Sequence, residues 1–457
     1  MKQSLQEWRA NSVWRHRDLW VVGPARALSV MGDGIALIAL LLRVHDSGGG
    51  PRDITLLLMS AAVPTVLLAP WSGRLADRLD SRLLTAGSAL LQMVVCVALA
   101  FTWSLWLVYP LVMALQAGQA VAYPTWGALV PRIVGEAEIG RATGSLSALM
   151  TVGAVAGPAL GGLLTGIGGG ARLPLLVDAA TFGVLAVAAL VVRTRRGGAA
   201  SAVTGDQPAP RALDGLRLLR RDSVLGPIFA ALMGYVVVGE ATNVVEVFLV
   251  RDVLHGSATQ YGLVGMGAGA GIVVGSLLGG RDATLAGRVR WVVLAAAAQA
   301  LMILVAGLSP SLLVLAGAWL ALGVVNGMLN TATTTLLMIR TPEASRGQVI
   351  AAAMGASRAF SIAALALGGV VGTVLGPRTT FVVAGACALA VSLVLAWAVR
   401  WAWRRPEPHA LAFRSAVSVG APTVGGCQTT AAPSPIAPAC CRRAGRRDRR
   451  THRRGPG

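Results

Sequence analysis

The stretch Gly73-Arg-Leu-Ala-Asp-Arg-Leu-Asp-Ser-Arg82 places five charges in ten residues of a chain that is only 13% charged. On either side lie runs with no charge at all, about residues 54–72 and 83–103. Each approaches the ~20 apolar residues that a helix needs to cross a bilayer. The stretch therefore reads as a short polar turn between two membrane-spanning helices, too short to wander from the helix ends it connects. Its alternating charges can pair with one another and with the helix termini at the membrane face.

Working outward, the same alternation of long apolar run and short polar joint recurs through 457 residues, of which 55% are hydrophobic. Mean hydropathy is +0.66. Twelve spans can be drawn, at about 19–42, 54–72, 83–103, 105–130, 142–166, 173–192, 224–250, 259–279, 291–308, 311–339, 349–375 and 378–403. With the N-terminus taken as inside, segments on that side carry 33 basic residues and the opposite loops five: Arg43, Arg52, Arg172, Arg251 and Arg378. Without the tail from Arg400 the ratio is still 21 to 5. That bias places both termini in the cytoplasm. The first apolar run lacks a cleavage-site pattern and is expected to persist as a helix. The expected location is a bacterial plasma (inner) membrane, crossed many times.

The formal charge of +20 follows this topology and predicts no nucleic-acid partner. Lys2 is the single lysine, which leaves no phosphate-cradling loop of the Gly-x-x-x-x-Gly-Lys type and no Schiff-base lysine. The five cysteines, Cys96, Cys387, Cys427, Cys440 and Cys441, divide between spans and tail and match neither a disulfide framework nor a metal site. No cofactor, metal or enzymatic activity is expected. Gly265-Met-Gly-Ala-Gly-Ala270 fits a loose dinucleotide pattern, but inside an apolar span it reads as helix packing.

The longest internal joint, rich in Gly, Ala, Pro and Arg, divides the spans six and six. The expected organisation is a six-helix half over 1–192, a cytoplasmic linker over 193–223, a second six-helix half over 224–403, and a disordered basic tail over 404–457. The tail cannot bury a core. The halves echo each other at an offset of about 205 residues. Pro131-Arg132 and Gly140-Arg141 after span 4 correspond to Thr341-Pro342-Glu343 and Arg346-Gly347 after span 10, and Gly73 to Gly275 or Gly279. Two repeated halves suggest a carrier that rocks about a midplane site.

The opening stretch, written Gly73-x-x-x-Asp77-Arg78-x-x-x-Arg82, resembles the loop motif between the second and third helices of the major facilitator superfamily. That resemblance implies a gate in which Gly73 permits close helix approach, Asp77 caps a helix and pairs across the interface, and Arg78 and Arg82 latch one state. Asp80-Ser81 stands where the family usually has Gly-Arg. In span 5, Gly153-x-x-x-Gly157-Pro158-x-x-Gly161-Gly162 is similar to the family's antiporter motif. Ala128-Leu-Val-Pro131, Ala142-Thr-Gly144, Ser29-x-x-Gly32-Asp33, Asp178-Ala-Ala-Thr-Phe182 and Leu213-Asp-Gly-Leu-Arg217 are similar to the branch of enterobactin-type siderophore exporters and macrolide efflux proteins. The likeness spans about residues 15–403. Many drug/proton antiporters carry an arginine in span 4, where this chain offers Gln116, Gln119 and Tyr123.

Ionisable groups inside the bilayer are costly and mark candidate sites. Asp33 lies roughly 21 Å from the inner end of span 1, and Arg26, nearly two turns earlier, shares its face. A carboxylate balanced between burial and the cations Arg26 or Arg358 suits loading and release of a proton. Glu240 and Asn243 share a face of span 7 and form the second candidate, for coupling or for a cationic substrate. Glu246 is expected at the outer mouth, Asp178 as a structural partner, and Asn326 with Asn330 either lining the cavity or joining helices. The expected function is proton-coupled export of a hydrophobic or amphipathic small molecule by a monomer. Proton-coupled uptake, or a non-transporting scaffold or receptor, are the alternatives.

Overall fold

The computed structural model describes residues 13–135, 138–194, 212–279, 284–341 and 346–404. Among these residues there is no strand, and twelve helices are long and apolar enough to span a membrane. The first six are α1 (Arg17–Asp46), α2 (Pro51–Arg78), α3 (Ser81–Phe101), α4 (Leu105–Val134), α5 (Ile139–Gly168) and α6 (Arg172–Val191). A short helix, α7 (Ala212–Arg221), follows. The last six are α8 (Leu225–Phe248), prolonged by a π-helical turn over Leu249–Val253, then α9 (Ala258–Gly279), α10 (Leu285–Gly307), α11 (Leu312–Arg340), α12 (Arg346–Leu375) and α13 (Pro377–Arg404). Several overrun the sequence-drawn spans: α1, α4 and α5 each have 30 residues. Hydropathy reports the hydrocarbon thickness, whereas the helices continue into the polar zones.

The expected turn at Gly73–Arg82 is mostly helix, a correction to the sequence reading. Helix α2 runs through Gly73 and Asp77 to Arg78, because Arg-Leu-Ala-Asp-Arg contains no breaker after Gly73. The break is Leu79-Asp80 alone. Asp80 adopts an extended backbone and its carboxylate accepts the Arg82 N–H at 2.8 Å, capping α3. The Asp80-Ser81 departure from the family pattern is thus a helix-start signal. The side chains of Gly73, Asp77 and Arg78 lie outside the described residues, as do most of the linker and the tail. What the linker does show is α7, which the sequence reading lacked. Its Leu219 is buried and its Arg217 and Arg220 are exposed, and it packs on α12.

The packing scheme repeats when every span is advanced by six. Helix α1 packs on α5 and α6, as α8 packs on α12 and α13. The pairs α2–α4, α3–α4 and α3–α6 recur as α9–α11, α10–α11 and α10–α13. Between halves, α5 meets α9 and α12 meets α2, which are again equivalent pairs. Each half also buries one phenylalanine fully on its last span, Phe182 on α6 and Phe381 on α13. Because twelve alternating spans return the chain to its starting side, the bundle has a termini end and a distal end. Exposed tryptophans mark both: Trp103 and Trp106 distally, Trp20, Trp397 and Trp401 near the termini. Such belts suit the two membrane–water interfaces.

Candidate functional site

Helix α1 brings Arg26 and Asp33 to one face, and α4 lays Gln119 between them. The Gln119 amide donates to Asp33 Oδ2 at 3.0 Å, while its carbonyl accepts from Arg26 Nη1 at 3.4 Å. The expected Arg26–Asp33 pair is therefore bridged, and Gln119, one of the three polar candidates of span 4, supplies the bridge. Burial of Arg26, only 6% exposed, explains the need for such an acceptor. Asp33 also faces a small cavity of about 30 Å³ with Gln116, walled by Ala36, Leu37, Leu40 and Leu57. That volume holds a water or two rather than an organic substrate.

Behind this site, Asp178 of α6 is fully buried. It receives the Cys96 thiol of α3 at 3.2 Å and the Thr181 hydroxyl at 3.2 Å. A Cβ at Gly32 would strike the Asp178 carboxylate and Thr181, so Gly32, next to Asp33, is what lets α6 approach α1.

The C-terminal half carries its own carboxylate at matching depth. Glu240 of α8 accepts from Ser361 of α12 and, at 3.4 Å, from Asn243 one turn on. Ser361 was not anticipated, since a serine in an apolar run carries no signal without its partner. Arg358, one turn before Ser361, is exposed and is not brought to Asp33. Asn326 and Asn330 bond to each other on α11, with Asn330 Nδ2 donating to Asn326 Oδ1 at 2.7 Å. Glu246 lies in the last turn of α8, toward the distal end. It is drawn into the half by the Trp319 indole, whose N–H donates at 2.7 Å.

Helix α5 explains its glycines. A Cβ at Gly153, Gly157 or Gly161 would meet the backbone of α1 at Ala27, Met31 or Ile35. One at Gly162 would meet Ala258 and Gly262 of α9, in the opposite half, and Pro158 also touches Gly262 and Gly265. The motif is two-faced: one face fixes α5 within its half, the other sets its approach to the partner half. The glycines of Gly265–Ala270 lie in α9, where helix packing accounts for Gly265 and Gly269, against Pro158 and Val155, while a Cβ at Gly267 would meet nothing within 4 Å. Gly275 and Gly279 pack closely on α11 at Val324 and Met328.

Twelve apolar helices in two equivalent sets, with polar clusters at mid-depth in each, define the chain as a polytopic membrane protein of transporter type. The sequence profile of the Major Facilitator Superfamily matches residues 22–250 and 238–449, and the chain belongs to that family. An MFS-type transporter of Bacillus subtilis (strain 168), YfiS, is 24% identical over 386 residues, which cover 81% of this chain and 90% of YfiS. Among solved structures, a bacterial homologue of the human lysosomal transporter Spinster, inward-facing and unoccupied, superposes with a TM-score of 0.67. The identity is 15%, covering 87% of this chain and 100% of that one. A mutant form of the nucleoside transporter NupG gives the same TM-score of 0.67 at 12% identity, over 84% and 100% of the two chains. These likenesses establish a shared fold.

Proposed function

We propose that the protein is a secondary active transporter that exports a hydrophobic or amphipathic small molecule in exchange for protons, by alternating access. In this reading it works as a monomer in a bacterial inner membrane, with both termini and the linker cytoplasmic. The observation that carries it is the Arg26–Gln119–Asp33 bridge beside a largely apolar cavity. Asp33 is held at mid-depth by partners that can be exchanged: on protonation it no longer needs the Gln119 N–H or the Arg26 charge, and a hydrogen-bond-accepting or anionic substrate group can take up what is released. Glu240 with Asn243 and Ser361 faces the substrate from the other half. The two-faced Gly153–Gly162 motif supports rocking, because close backbone contact along α5 and α9 gives a smooth pivot. The end of α2 and the start of α3, with Gly73, Asp77, Arg78 and Arg82, serve as the cytoplasmic latch. The export direction and the siderophore-exporter and macrolide-efflux affinity rest on the motifs.

The test is flux in proteoliposomes under an imposed pH gradient, with a panel of dyes and antibiotics. Gradient-dependent movement toward the acidic side is expected for at least one compound, with Asp33→Asn inactive. Movement away from the acidic side would make the protein an uptake carrier. Folded protein that moves nothing, or Asp33→Asn pumping normally, would overturn proton coupling at this site.

A further inference from the structure

At the distal end, where α1 and the π-helical turn after α8 finish side by side, His45 stands between two carboxylates. Its Nδ1 lies 2.9 Å from Asp46 Oδ1 and its Nε2 lies 2.7 Å from Asp252 Oδ1. The imidazole side chain is 14% exposed, and Phe248 covers one side with ring centroids 5.4 Å apart. Arg251 adds a second link, from Nη2 to Asp46 Oδ1 at 3.1 Å, while its Nη1 donates to the Gly256 carbonyl at 3.0 Å. Asp46 and Arg251 are 205 residues apart, the offset of the internal repeat, so equivalent helix ends from the two halves clasp each other.

Hydrogen-bond inventory decides what this geometry requires. An ionised carboxylate only accepts, and a neutral imidazole has a single N–H. A neutral His45 can therefore satisfy Asp46 or Asp252 but not both, and its second nitrogen would turn a lone pair on the remaining carboxylate. Only the imidazolium donates to both. Asp46 and Asp252 are 46% and 55% exposed, so water stabilises their ionised forms. The neighbouring charges are engaged elsewhere: Arg43 donates to the Leu99 carbonyl at 2.7 Å, and Asp53 accepts from Tyr109 and from the Gly50 N–H.

We propose that His45, Asp46 and Asp252 form a proton-binding site that clasps the distal gate. Bound proton and closed gate are one state, and loss of the proton releases the His45–Asp252 link between halves. By linkage, whatever the proton does to the gate, the gate does to proton affinity. One proton shifts the open/closed ratio by at most about tenfold per pH unit. The Arg251–Asp46 ion pair does not involve this proton, so loss of the proton loosens the clasp without dismantling it. The inference rests on the alternating-access reading, and on the distal end facing outside, but not on the substrate or the direction of transport.

The test needs no substrate. In the full chain, Cys387, Cys427, Cys440 and Cys441 are replaced by Ser, while buried Cys96 is kept. Spin labels are placed at Trp103→Cys and Leu313→Cys, exposed distal positions in opposite halves. Distance distributions are read by pulsed electron resonance in lipid nanodiscs from pH 5 to 8.5. The longer-distance population of the parent is expected to grow with pH, by no more than tenfold per unit. His45→Gln should hold an open fraction at every pH, and His45→Lys, a permanent donor cation, should stay closed throughout. Asp252→Asn, whose amide can accept from or donate to a neutral imidazole, should close without pH response and guards against a folding defect in the His45 variants. A parent distribution flat with pH, or a pH response that survives His45→Gln, overturns the proposal. A transport failure with the pH response intact would instead count against proton-coupled export alone.

Discussion

Asp33 and Glu240 occupy matching depths in the first span of each half, 16 residues into α1 and 15 into α8. Their surroundings differ. Asp33 is held by the Gln119 amide and, through it, by a buried guanidinium. Glu240 is met by a hydroxyl and an amide, Ser361 and Asn243. The packing scheme has been kept in both halves, while the polar chemistry at its centre has diverged. In our reading the N-terminal half handles the proton and the C-terminal half offers an anion to the substrate. Removing a proton-handling group should abolish coupling, whereas removing a substrate contact should weaken affinity.

That contrast breaks most visibly at the carboxylates. Asp33→Asn should lower gradient-driven flux by about a hundredfold or more, the usual range for losing a proton-transfer group, and leave substrate binding measurable. Glu240→Gln should chiefly raise KM for cationic substrates. Flux assays and equilibrium binding on both variants separate the two, and equal effects would erase the proposed division of labour.

The packing scheme makes the opposite prediction, that the halves behave alike. A Cβ at Gly157 would lie 2.7 Å from the Met31 carbonyl, and one at Gly368 of α12 would lie 2.7 Å from the Ala241 Cα on α8. Backbone cannot yield as a flexible side chain does. Gly157→Val and Gly368→Val should therefore each destabilise by about 1–3 kcal/mol or more, read as a lower Tm in detergent. Gly355→Ala, where an added methyl meets nothing within 4 Å, should leave Tm unchanged or slightly raised.

A smaller effect tests the bridge itself. Gln119→Leu leaves Arg26 buried without its acceptor and Asp33 without its amide donor. Flux should fall by about tenfold, as for loss of a hydrogen bond to a charged group, and its pH profile should move. Gln119→Glu, which keeps an acceptor for Arg26, should bind substrate better than Gln119→Leu. An unchanged pH profile in both would show that the bridge only shapes the helices.

These sites were unequally legible in the sequence. Twelve spans were readable because hydrophobicity over ~20 residues is a collective signal that survives any single substitution. Asp33, Arg26 and Glu240 stood out because a charge in an apolar run is conspicuous. Their partners were not, since Ser361, Cys96 and Trp319 are ordinary residues until the fold brings a carboxylate to them. The charge-dense Gly73–Arg82 stretch works in the other direction: its polarity suggests a turn, although Arg-Leu-Ala-Asp-Arg is a good helical sequence and only Asp80 behaves as a boundary. Helix α7 escaped because ten residues between masses of Gly, Pro and Arg fall below any span-length window. The Glu138 joint escaped too, its partners Arg15 and His16 being more than 120 residues away.

The least effect, and the finest comparison, lies at those termini-end joints. In the N-terminal half the acid is the residue just ahead of the fifth span: Glu138 accepts from Arg15 Nη2 at 2.8 Å and pairs with His16 Nε2 at 2.9 Å, with Arg141 at 3.8 Å. In the C-terminal half the polarity is reversed. Asp222, ahead of α8, accepts from Arg340 at 3.0 Å and caps α8 through the Val224 and Leu225 N–H groups. The His16 hydrogen bond, aided by the charges of Arg15, His16 and Arg141 and opposed by burial, holds the Glu138 carboxyl below its ordinary value of 4.5. A folded-state value below the unfolded one means the stabilisation is fully present above pH ~4.5 and is lost as pH falls through the lower folded value. Glu138→Gln should therefore lower Tm slightly at pH 7, and the gap from the parent should close progressively once the pH drops below about 4.5. Melting both proteins across pH 3.5–7 in the same detergent checks this. A gap that stays constant to the acid end would mean that Glu138 acts through shape rather than charge, and the reversed polarity of the two joints would then have no electrostatic content.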